Sequence, residues 1–309
     1  MRLGVARRSA LRVAGRLTVA VTLGAFGAKA VSPQTAATSK SVSPQASATS
    51  KSREGVMLEV RPHAGDTVSI RLEHRVEMTG TRHMTDHDST VRVSSSMLML
   101  ARTIVESVEP GGVVVVMRTD SVAVESSDDH APAMRDDARR ALRGATSRLR
   151  LLPDGTAESL DGAMGADGAS LLAIMPATLP RKAVRVGDRW TQTMPMPSAA
   201  GRSAGGEVRA SFRLDSLTAG GRYAWISMKG TLNRTEPTLP GAKGAPANRA
   251  GSMSGTMSGG LKLDRKRGWV VDSFTSMTVR SMVASPDDPS VPLKVTVRIL
   301  QRMRAEDRP

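Results

Sequence analysis

The chain has no cysteine, and its 309 residues include only three phenylalanines, three tryptophans and one tyrosine. Without cysteine there are no disulfides and no thiolate metal centres, so stability rests on burial alone. The aromatic deficit is uneven. No Phe, Tyr or Trp occurs from Val31 to Arg189, and six are gathered beyond it: Trp190, Phe212, Tyr223, Trp225, Trp269 and Phe274. Single-strand nucleic-acid binders stack bases on aromatic platforms, so no nucleic-acid partner is expected. An outer-membrane barrel needs aromatic girdles at both interfaces, and aromatics crowded into one half cannot supply them.

Catalytic signatures are missing as well. There is no His-Glu-x-x-His helix, and the glycine-rich stretch Gly251 to Gly260 lacks the lysine of a phosphate loop. All five histidines (His63, His74, His83, His87 and His130) precede residue 131. Asp154, Asp161, Asp167 and Asp188 stand in turn-forming sequence rather than as an acid/base pair. No catalytic residue and no cofactor is predicted, and the chain reads as non-enzymatic.

The first thirty residues carry Arg2, Arg7, Arg8, Arg12, Arg16 and Lys29 and no acid. They include an apolar run from Leu17 to Ala28, with small residues at Ala28 and Ala30. A basic head, a short apolar core and an A-x-A exit make a cleavable export signal, too short to span a bilayer. Residues 1–30 are therefore expected to be removed, leaving a periplasmic or extracellular protein with no transmembrane segment. Arg7-Arg8 keeps the twin-arginine route open, although no cofactor motif calls for export in the folded state. The absence of cysteine at the cleavage site argues against a lipid anchor.

The next segment is a tandem duplication, VSPQTAATSKS at 31–41 and VSPQASATSKS at 42–52. Its Ser, Thr, Ala and Pro cannot bury enough surface to offset ordering, so residues 31–54 read as a disordered linker. A single β-rich domain is expected over 55–305. The formal charge is +15, and removing the six basic residues of the leader leaves +9. The excess is dispersed, as in Arg71, Arg75, Arg82, Arg92, Arg102 and Arg118. That pattern suits solvated strand faces and can assist contact with anionic lipid or polymer.

Within the domain the hydrophobic period is two. Val68, Ile70, Leu72, Val76 and Met78 share one side of an extended segment, with Ser69, Arg71, Glu73, Arg75 and Glu77 opposite. Residues 91–124 read as a long hairpin turning at Pro110-Gly111-Gly112, and Pro153-Asp154-Gly155 as a second turn. Ala133 to Ala145 has a helical stripe, and Ala169 to Met175 a shorter one. Further strands fit Arg189 to Met196, Glu207 to Leu217, Arg222 to Asn233, Gly251 to Leu263, Trp269 to Val283 and Leu293 to Met303, with Thr235 to Ala250 as a loop. The predicted fold is mainly β: a large curved antiparallel sheet or half-barrel with one or two short helices packed on it.

Leu179-Pro180, Val184, Val186 and Gly187-Asp188-Arg189-Trp190 form a phrase that resembles one recurring in uncharacterised secreted bacterial β-proteins, where it opens a strand after a short helix. The resemblance covers roughly residues 130–303 and brings no activity with it. More loosely, the pattern is similar to the periplasmic lipoprotein-carrier half-barrels, which implies an apolar concavity able to hold acyl chains. In this phrase Gly187-Asp188 is expected to form the turn and Trp190 to be the first inward residue of the next strand.

Two clusters merit weighing. His83-Met84-Thr85-Asp86-His87-Asp88 has imidazoles and carboxylates suited to a divalent metal, but in extended chain His83 and His87 stand about 13 Å apart. The segment reads as a solvent-facing hairpin tip, with metal binding by His83 and His87 left open. Met97/Met99 and Met194/Met196 would suit Cu(I), yet Met-x-Met in a strand ordinarily faces the core. The six aromatics are assigned to the core on the same reasoning. The sequence thus favours an exported non-enzymatic protein that binds an apolar ligand, a lipid or an envelope protein; periplasmic copper handling and an unrecognised enzyme are the alternatives. Amino-terminal sequencing of protein from its own host is expected to begin at or near Val31; an intact Met1 on cytoplasmic material would refute export.

Overall fold

The computed structural model describes residues 55–83, 88–127, 132–160, 179–195, 206–234, 253–284 and 292–306. The leader, the tandem repeat, the second helical stripe and the Thr235 to Ala250 loop lie outside them. The first half contains β1 (Thr67–His83), β2 (Asp88–Glu109), β3 (Gly112–Ser126), α1 (Pro132–Leu142), β4 (Thr146–Leu151) and β5 (Ala157–Ser159). The second contains β6 (Arg189–Pro195), β7 (Gly206–Thr218), β8 (Tyr223–Arg234), β9 (Met253–Asp264), β10 (Trp269–Ala284) and β11 (Pro292–Glu306).

All eleven strands form one antiparallel sheet in the order β5-β4-β3-β2-β1-β11-β10-β9-β8-β7-β6. Each half is a meander, and the halves are joined where β1 pairs with β11, from Ser69 opposite Glu306 to Arg82 opposite Leu293. β5 and β6 are the sheet's edges, so it is not closed into a barrel. Alternation sets the two faces as the sequence implied. Val68, Leu72, Val76 and Met78 of β1 are buried, as are Val295, Val297 and Ile299 of β11. Register shifts at Leu100/Ala101, Val105/Ser107, Leu214/Ser216 and Val270/Asp272 mark bulges, which add twist and bend the strands.

The two ends of the sheet differ. At one end the strands are joined by tight described turns: Pro110-Gly111, Pro153 to Gly155, Ala219 to Arg222 and Arg265 to Gly268. This end is sealed by the strap Gly55 to Pro62. Val56 exchanges backbone bonds with Val184 at 2.8 and 3.0 Å, the Val60 amide donates to the Pro153 carbonyl at 2.9 Å, and the Arg61 amide donates to the Gly268 carbonyl at 3.0 Å. Gly268 has φ +67°, and a Cβ there would run into the Arg61 carbonyl, so glycine is required where the strap crosses the turn. The strap inserts Leu58 and Val60 beside Leu179 and Val184 into a core with Phe212, Leu214, Ile226 and Leu263.

The helix is shorter than its stripe suggested. α1 stops at Leu142 because Gly144 turns with φ +75°, and Ala145 already pairs with β3 by accepting the Thr119 amide at 2.9 Å. The Trp190 phrase folds as expected. Gly187 has φ +97°, and Asp188 Oδ2 accepts the Arg185 amide at 2.9 Å. Two residues on, Trp190 turns inward and stacks on Phe212, centroids 5.8 Å apart and planes within 17°. Because β6 is an edge strand the ring is half-buried rather than enclosed. Trp190→Ala is therefore expected to cost about 2–3 kcal/mol in urea denaturation, at or below the low end for a large aromatic. Trp190→Phe should recover most of it; equal losses for both would mean that stacking contributes little.

Candidate functional site: the concave face

The inward residues of both halves surround one cavity near the strapped end. Ile70, Leu72, Met99, Met117, Trp269 and Met303 are among its walls, contributed by β1, β2, β3, β10 and β11, and Val60 of the strap also lines it. That strands from both halves line a single space shows how far the sheet curves. The free volume is about 80 Å³. Ligand pockets usually offer about 300–1,000 Å³, so a larger guest requires the three methionines to move. Thioether side chains adapt in this way more readily than branched or aromatic ones.

Polar groups interrupt this apolar surface at a few places. Thr103, Thr119, Ser147 and Gln301 are buried, and Gln301 is only 6% exposed. Thr119 Oγ1 is satisfied by Met99 Sδ at 3.7 Å. Gln301 Oε1, Ser147 Oγ and Trp269 Nε1 are buried without a hydrogen-bond partner among the described residues. One residue pair further along, His74 stands opposite Gln301 on β11 and opposite Met97 on β2, and its Nδ1 is likewise buried and unpartnered. Burial penalises the imidazolium and pulls the His74 pKa from 6.5 down to about 4, so the ring is neutral at physiological pH. A neutral imidazole and a primary amide, directly opposite in an antiparallel ladder, can both donate to and accept from the polar end of a guest.

His74 was not singled out in the sequence, although its even number places it in phase with Leu72 and Val76. The residues that were singled out fare differently. His83 pairs with Asp88 where β1 meets β2, so the flanks do form a hairpin, while His87 and the tip lie outside the described residues. No group of three His, Cys, Asp or Glu side chains could hold a metal among the described residues. Met97 and Met99 share the inward face of β2, with Met99 fully buried. Met194 lies in β6, and Met196 is outside the described residues. Asp154 ties the β4–β5 turn. It accepts from the Thr156 amide at 3.1 Å, from Thr156 Oγ1 at 2.7 Å and from Arg181 at 3.3 Å. Burial alone would raise its pKa, and these bonds outweigh it, holding the carboxyl below its ordinary value. Asp161 and Asp167 lie outside the described residues.

The assignment of all six aromatics to the core needs correction. Phe212 and Trp269 are buried, and Trp190 faces inward. Trp225 and Phe274 are 40% and 49% exposed, and with Tyr223 they stand on the convex face. The reason is parity: Ala224 and Ile226 occupy the inward phase of β8, and Ser273 and Thr275 that of β10.

Residues 170–270 match the Family of unknown function (DUF6263). The Leu179 to Trp190 phrase lies within the matched stretch. No curated protein matches the sequence. Among solved structures, lipovitellin aligns with 80% of this chain at 8% identity and a TM-score of 0.49, the chain spanning 25% of that protein. An outer membrane channel from Pseudomonas putida aligns over 86% of this chain and 100% of its own, at 9% identity and a TM-score of 0.22. A DUF1329 family protein from Desulfovibrio piger aligns over 77% and 86%, at 10% and 0.12. At these scores none of the three bears on what the chain does. No helix among the described residues is long and apolar enough to cross a membrane.

The buried neutral histidine gives a pH prediction. In the unfolded chain His74 takes a proton near pH 6.5, whereas in the folded protein it does so only near pH 4. The unfolded state binds more protons between those values, so stability is expected to fall as the pH drops through that window and to level off below it. The loss contributed by His74 is up to about 3 kcal/mol. His74→Leu should flatten this part of the stability curve; a wild-type slope surviving in that variant would assign it to other groups.

Proposed function

We propose that the protein is a non-enzymatic, extracytoplasmic binder of one amphiphilic molecule. The guest's apolar part lies among Met99, Met117 and Met303, and its polar end meets His74 and Gln301. The observation that carries this reading is a pair of buried polar atoms without a hydrogen-bond partner among the described residues: Gln301 Oε1 in the wall of a methionine-lined cavity, and Nδ1 of the half-buried His74 opposite it on β1. Unpaired groups of this kind are costly in an empty core, and a guest supplying a hydroxyl, carboxyl or amide would offset that cost. The strap and tight turns close one end of the concavity, so a chain-like guest enters from the side or from the opposite end.

A fluorescent polyene fatty acid, cis-parinaric acid, tests this directly. Wild-type protein is expected to bind it with enhanced emission. The double variant His74→Leu, Gln301→Leu should bind about tenfold more weakly, the worth of roughly one net hydrogen bond. Unchanged affinity in that variant would remove the polar pair from the site, and no binding by a folded wild-type protein would end the lipid reading.

One observation favours a second reading. Met97 stands directly opposite His74, which places a thioether and an imidazole together on the inward face. That donor pair suits Cu(I), with His74 supplying the imidazole. Native mass spectrometry of protein from its own host separates the two readings by the mass retained.

A further inference from the structure

The arginines of the two halves live in different electrostatic settings. On β1 to β5 they are mostly paired: Arg71 with Glu73, Arg75 with Glu77, Arg102 with Asp120, Arg148 with Glu106 and Arg150 with Glu109. From Tyr223 to Glu306 the described residues include eleven Lys and Arg but only three acids, Asp264, Asp272 and Glu306. Two of those acids are already engaged. Asp264 accepts Arg222 at 2.7 Å and the Lys266 and Arg267 amides at 3.0 and 3.2 Å, and Asp272 accepts Arg302 at 3.1 Å. Lys229, Arg280, Lys294, Arg298 and Arg304 are exposed and make no ion pair among the described residues.

These cations share the convex face with the misassigned aromatics. The register sets Trp225, Lys262, Asp272 and Arg304 in one cross-strand row, and Ser227, Gly260, Phe274 and Arg302 in the next. Phe274 lies over Gly260, where a Cβ would come within 3.1 Å of the ring. Lys262 Nζ sits 4.1 Å from the Tyr223 ring centre and 5.1 Å from that of Trp225, so positive charge is held at the aromatic tips. Between Trp225 and Arg304 is a hollow of about 270 Å³, lined also by Lys262 and Arg267. Its carboxylates, Asp264 and Asp272, are the two already engaged.

We propose that the convex face of β8 to β11, centred on Trp225 and Phe274, is a docking surface for an anionic lipid membrane. Unpaired cations are drawn to a negatively charged headgroup surface within about a Debye length of it. An exposed indole such as Trp225 settles at the boundary between headgroups and acyl chains, and the apolar ring of Phe274 can enter the acyl side of it. The charge-lined hollow matches a lipid phosphate in sign and size. Charge complementarity selects the partner, and the two exposed rings distinguish a lipid surface from a polyanion that would need only the charge. This surface is separate from the concave cavity, so either can fail without the other.

The test uses the full chain in co-sedimentation with vesicles of phosphatidylglycerol and phosphatidylcholine in equal parts, and with phosphatidylcholine alone. Binding is expected to the first only, and to weaken steeply with added salt. Arg298→Glu with Arg304→Glu should lower partitioning at least about tenfold. Trp225→Ala with Phe274→Ala should lower it comparably while leaving salt dependence in place. All four positions are on the convex face, and a thermal melt confirms that each variant is folded. The wild-type tryptophan emission should shift to the blue on anionic vesicles, and Trp225→Leu should lose that shift. Absence of binding at low ionic strength would overturn the proposal. So would binding indifferent to the aromatic pair and displaced by polyphosphate, which would mark a general polyanion site.

Discussion

A curved sheet with an apolar concave face must have that face covered, and among the described residues eight residues of extended chain do much of this, together with Leu179 and Val184. The strap Gly55 to Pro62 holds to three separate parts of the structure: Val184 in the link to β6, Pro153 in the β4–β5 turn and Gly268 in the β9–β10 turn. Without it Leu58 and Val60 would leave the core, and the floor beneath Leu214, Ile226 and Leu263 would open to water. α1 does not do this work, since it packs on β3 and most of its residues are exposed. The strap, through Val60, turns this part of the concavity from a trough into a cavity.

The two faces then divide the chemistry. The concave face is apolar, with a small number of buried polar atoms, and it selects by shape and by one or two hydrogen bonds. The convex face is polar, and its character changes across the β1–β11 ladder, from paired charges on one side to largely unpaired ones on the other. Buried selectivity and surface attraction are thus carried by the same strands, in alternate residues, so substitutions on one face leave the other in place.

Much of this was legible in the chain. Period-two patterning placed the strands, with bounds that differ by one to a few residues, because solvent on one face and core on the other leave a direct mark on residue choice. Gly187, Asp188 and Trp190 could be read together because each has a distinct local duty. Other features were hidden for physical reasons. Composition does not reveal the phase of an aromatic in a strand, so Trp225 and Phe274 were misplaced. Charge pairing across strands depends on register, so a dispersed excess of arginine concealed one balanced half and one unbalanced half. His74 became interesting only when Gln301, far away in sequence, arrived beside it.

The joining of β1 to β11 has a temporal side. Val76 and Ile299 are partners although about 220 residues separate them, and loop-closure entropy must be overcome before such a contact repays it. Each meander can assemble from its own hairpins, but β1 keeps an open ladder edge until β11 has emerged and found it. Slow maturation, with a long apolar-faced strand exposed in the interval, is a hazard of this topology that the finished sheet no longer displays.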